Sequence, residues 1–111
     1  MSGSPGGDSD DELQVARSVV VDMVRRAALD VPGIARIGRA GPRWRAWFAG
    51  PAVRVRVRDG RVEARLWLVA REGQALGPLA REVREAVGAT IERLLGLEAA
   101  DVTILVDGSG G

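Results

Sequence analysis

The chain has 111 residues, of which 46% are hydrophobic and only 4% aromatic, and its net charge is +1. It contains no cysteine or histidine, and its sixteen basic residues are all arginine. Disulfides and thiolate metal sites are therefore excluded, and with tyrosine also absent the usual general bases, thiolate nucleophiles and Schiff-base amines are missing, so no enzyme is expected.

Charge is unevenly spread. Residues 1–12 hold four acids and no base, residues 13–71 thirteen arginines against four acids, and residues 72–111 three arginines against seven acids. No apolar run approaches the roughly 18 residues that span a bilayer. The opening MSGSPGGDSDDE has neither the basic nor the apolar region of a signal peptide, so the expected location is the cytoplasm. About 95 residues remain for one core, an ordinary size for a single domain.

In chain order, residues 1–8 are mostly Gly, Ser and Pro and carry too little apolar surface to order themselves. Ser9-Asp10-Asp11-Glu12 has the form of a capping box, with carboxylates where the helix dipole favours them. Val15 or Ala16, Val19, Val20, Met23, Val24, Ala27 and Ala28 then recur at helical spacing, and Pro32 ends this helix near Asp30. Residues 1–12 are thus expected to be a disordered acidic tail with a helix cap.

Ile34-Ala35-Arg36-Ile37 predicts a short strand. Gly41-Pro42 and Gly50-Pro51 bracket Trp44, Trp47 and Phe48, a stretch that reads either as a loop folded back by its aromatics or as a ragged extra strand.

The clearest pattern runs from Val53 to Val69. Two alternating runs meet at Asp59-Gly60, the dipeptide suited to a two-residue turn with positive φ at both positions. The register follows: Arg58 faces Arg61, Val57 Val62, Arg56 Glu63, Val55 Ala64, Arg54 Arg65 and Val53 Leu66. One face is then apolar. The other carries Arg54, Arg56, Arg58, Arg61 and Arg65 against Glu63, a crowding of like charge that costs stability.

Ala70 to Gly77 reads as a loop, with Pro78 at the first position of a second helix. Leu79, Val83, Ala86, Val87, Ile91, Leu94 and Leu95 form its apolar stripe, with an Arg81–Glu85 pair on the wet face. Gly88 is expected to allow close packing on the sheet, and Gly96 to end the helix in the left-handed region with Leu97 packing back. Val102 to Val106 is the last strand, expected to be largely buried, and residues 108–111 form a flexible tail. The fold class is α+β in the order α-β-β-β-α-β, with two helices on one face of a small mixed sheet and the other face open. A crossover makes the last strand parallel to a neighbour.

Several site readings compete. Gly38-Arg39-Ala40-Gly41 matches the GxxG of KH domains but follows a strand rather than joining two helices. Asp8, Asp10 and Asp11 suit a helix cap better than a cation site. On the basic sheet face, Arg54, Arg56, Arg65 and Trp67, with Trp44 and Trp47 folded over it, support three readings: a solvating surface, a protein-binding patch, or a single-strand nucleic-acid site that pairs phosphates and stacks a base. Adhesion to anionic lipid is a further alternative. No cofactor is expected.

Ala27-Ala28, Val31-Pro32-Gly33-Ile34-Ala35, the VRVRV and VEARLWL strands, Gly73, Leu79-Ala80 with Val83, Val87 and Ile91, Gly96-Leu97 and Val102–Asp107 together resemble the alkaline shock protein, or Gls, family of bacterial envelope-stress proteins. The resemblance covers residues 13–107, a single domain, in an Arg- and Ala-rich form of actinobacterial type. It implies a small cytoplasmic protein without catalytic residues that self-associates, gathers at the membrane through an integral-membrane partner, and supports tolerance of envelope stress. Partner binding through Arg54, Arg56, Arg65, Trp67, Trp44 and Trp47 is the expected role, with nucleic acid as the alternative.

Overall fold

Six elements carry the backbone in the computed structural model, which describes residues 5–38 and 51–108. They are α1 (Pro5–Leu29), β1 (Ile34–Ile37), β2 (Val53–Arg58), β3 (Arg61–Ala70), α2 (Leu76–Leu95) and β4 (Glu98–Asp107). The fold is α+β in the expected order.

β3 is the centre of the sheet. Along one side it pairs antiparallel with β2 through Arg61–Leu66 and with β1 through Leu68–Ala70. Along the other it pairs parallel with β4. β1 and β2 are therefore two pieces of one interrupted strand. Trp67 closes the gap between them, donating its N–H to the Ala52 carbonyl and accepting from the Gly38 N–H, both at 2.8 Å.

Alternation decides which face is covered. Val53, Val55, Val62, Ala64, Leu66, Leu68 and Ile104 are buried together with Val20, Val24 and Ala28 of α1 and Leu79, Val83, Val87 and Ile91 of α2. Both helices thus lie on the Val/Leu face, and the shortest dimension, 18 Å, is that of one sheet and one helix layer. Burial of these aliphatic side chains, about 1.5–3 kcal/mol each for the larger ones, is the principal term holding the two layers together.

Several boundaries differ from the sequence expectation. α1 begins at Pro5, not at the Ser9 cap, so the tail expected at residues 1–8 is helical from Pro5 onward. Proline's fixed φ suits a first helical position, and the acids at 8 and 10–12 then fall in the opening turns, where the dipole favours them. α2 begins at Leu76, with Ala75 before it making no side-chain cap. Pro78 is its third residue rather than its first, a place where the missing N–H has no helical acceptor to lose. The Arg81–Glu85 pair does not close, and both side chains are exposed.

At the helix end the expectation holds. Gly96 lies at φ 67°, the N–H groups of Gly96 and Leu97 both reach the Ile91 carbonyl, and Leu97 packs against the core. The last strand runs over Glu98–Asp107 rather than Val102–Val106, because pairing with β3 recruits Glu98–Asp101 despite their weak strand preference. It is also less buried than expected. Only Ile104 is fully inside, while Val102, Leu105 and Val106 are half-buried, because β4 is an edge strand. Gly88 is not a close-packing device: a Cβ there would lie 4.0 Å from the Ala99 Cβ, an ordinary contact. Gly33 does have a packing reason, since a Cβ there would come within 2.6 Å of Leu79 Cδ1 and Gln74 Oε1.

Candidate functional site

The hairpin sets the site. Asp59 and Gly60 adopt φ 51° and 75°, the two positive values the turn requires, and all six cross-strand pairs stand in the expected register. That register, with β3 in the middle, places every outward side chain.

On the uncovered face Arg54 lies directly opposite Arg65, Arg56 opposite Glu63, and Arg58 opposite Arg61. β4 adds Asp101 beside Glu63, Thr103 beside Arg65 and Leu105 beside Trp67. Arg54, Arg56 and Arg65 are exposed, and they enter no ion pair among the described residues. Beside them Arg61 Nε pairs with Glu98 Oε2 at 3.3 Å, with both side chains about 60% exposed, a contribution of at most about 1 kcal/mol.

The expected residues thus divide into three groups. Arg54, Arg56 and Arg65 are brought together. Trp67 shares their face but is half-buried, with its backbone fixed between β1 and β2. Trp44 and Trp47, like the GxxG stretch beyond Gly38, fall outside the described residues. Further along the same face Val69 is 5% exposed although its side chain points away from the helices, with Arg36 and Asp107 at the paired positions on its two sides. The open part of the face is therefore the arginine end.

A groove of about 700 Å³ wraps the β2 edge at this end. It is lined on the helix side by Arg17, Ser18, Val21 and Asp22 of α1, and along the strand by Val53, Arg54, Val55 and Arg56. On the open face its lining continues through Glu63, Arg65, Asp101 and Thr103. Sequence reasoning had not assembled the α1 wall or the contribution of β4. The signal for β4 was its Asp101, Thr103, Leu105 alternation, legible only once the parallel register with β3 is known. Among the described residues no three carboxylates converge as a metal site would need, and no described helix is long and apolar enough to cross a membrane.

This arrangement of two helices over a sheet centred on β3 recurs in known structures. The chain shares its fold with the MamM CTD. A MamM CTD variant with one Met-to-Leu change superposes with a TM-score of 0.55 at 18% identity, covering 82% of this chain and 95% of that one. The structure named MamM-CTD 215-293 gives 0.54 at 16%, covering 82% and 96%. A variant described as a nickel form gives 0.55 at 16%, again covering 82% and 96%. At such identity the likeness is one of fold. No protein-family model matches the sequence, and no curated protein aligns with it.

Proposed function

We propose that this chain is a non-enzymatic adaptor that works by binding protein, itself included, through the arginine end of its open sheet face. The observation that carries this reading is the direct opposition of Arg54 and Arg65, with Arg56 alongside and, among the described residues, no ion pair to offset any of them. Like charges set opposite one another destabilise a hairpin, and an acidic partner surface removes that penalty on binding. Half-buried Trp67 on the same face supplies the aromatic contact that interface centres favour.

The resemblance to alkaline shock proteins supports the cellular setting: a cytoplasmic domain held at the membrane through an integral-membrane partner and serving tolerance of envelope stress. The copper and nickel named for some MamM CTD structures are not carried across, because this sequence has neither histidine nor cysteine.

The test is capture from native cytoplasmic and membrane fractions, comparing the parent with an Arg54→Glu, Arg56→Glu variant. Loss of a protein partner with the variant supports the adaptor, and unchanged capture removes its basis. Tight binding of single-stranded oligonucleotide that weakens steeply with salt would replace it with the nucleic-acid reading.

A further inference from the structure

The groove beside the arginines is bounded by the outer edge of β2, with which no described strand pairs. In a two-residue hairpin the residues flanking the turn exchange backbone hydrogen bonds, and every second pair beyond them does the same. Here those are Arg58/Arg61, Arg56/Glu63, Arg54/Arg65 and Ala52/Trp67, and the Trp67 N–H to Ala52 carbonyl bond confirms the phase. The intervening residues, Val53, Val55 and Val57, therefore turn their N–H and C=O groups away from β3. Among the described residues no strand pairs with that edge. α1 does not seal it either, since Arg17 and Ser18 on the helix and Val53 to Arg56 on the strand are the two walls of an open groove.

We propose that the β2 edge, with α1 as its second wall, takes an extended acidic peptide from a partner protein as an added strand. This rests on the adaptor reading and names the mode of binding. Three edge residues offer six backbone groups, so main-chain bonds supply affinity while alternate side chains supply selection. Side chains of the added strand that turn outward meet Arg54 and Arg56 on the open face and are acidic. Those that turn inward meet Val21, Val53 and Val55, with Arg17 and Asp22 beside them on α1, and are small and apolar. On the open face the groove is lined by Arg54, Arg56 and Arg65 against Glu63 and Asp101, a basic excess that favours an acidic strand. The same arginines keep the edge from pairing with a second basic edge in the absence of a ligand.

The experiment measures amide hydrogen exchange by NMR on the full chain, with and without a capped hexapeptide of alternating Glu and Val. A second peptide of identical sequence carries N-methyl groups on alternate backbone nitrogens. The expected result is exchange at Val53, Val55 and Val57 slowed at least roughly tenfold by the first peptide, and affinity for the second lower by at least roughly tenfold, since two or three strand hydrogen bonds are lost. Equal binding of the two peptides overturns the added strand, and if Arg54→Glu then abolishes that binding, the charged face and the adaptor reading stand without it. Protection of the three amides that rises with chain concentration alone assigns the edge to a second copy and overturns the proposal. So does the absence of any peptide binding.

Discussion

Arg54 and Arg65 occupy directly opposed positions on an exposed hairpin face, where neither gains from the other. Arg54→Glu turns that opposition into an attraction and should raise stability by about 0.5–1 kcal/mol in urea denaturation while weakening partner capture. A surface that becomes more stable as it becomes less competent is one shaped by something other than folding. Gly88 offers a second residue-level gain. It sits in the middle of α2 with room for a methyl group, so Gly88→Ala should stabilise by about 0.5–1 kcal/mol, read as a higher melting temperature.

Among elements, the Pro32-Gly33 turn couples α1 to the start of α2. Gly33 lies against Leu79, its carbonyl accepts the Arg71 N–H at 2.8 Å, and the Pro32 carbonyl accepts from Arg71 Nε at 3.2 Å. Gly33→Ala should cost about 1–3 kcal/mol by overpacking this junction, measured by chemical denaturation with Gly60→Ala as the turn control. What the sequence made legible follows from how local each signal is. The hairpin register was readable to the residue because Asp59-Gly60 and strict alternation specify it without outside help. The Gly96 helix end was readable for the same reason. The start of α2 at Leu76 was not, because Ala75 carries no capping side chain, and the first residues of β4 were not, because Glu98–Asp101 become a strand only by lying beside Arg61–Glu63. The candidate site divides in the same way. Its arginines came from alternation within one hairpin, whereas the α1 wall came from packing between distant segments.

In the whole molecule β3 is bordered on both sides, and the last ten-residue strand supplies one of those borders. A chain ending at Leu97 would leave the β4 side of β3 unpaired and Val62, Leu66 and Leu68 without one flank. It should lose its cooperative thermal transition and bind a hydrophobic dye. On the other side a single residue, Trp67, holds the backbone at both ends of the interruption, accepting from the Gly38 N–H and donating to the Ala52 carbonyl. The two halves of the split strand therefore share one fastening, and a local loosening at Trp67 would release both of them together.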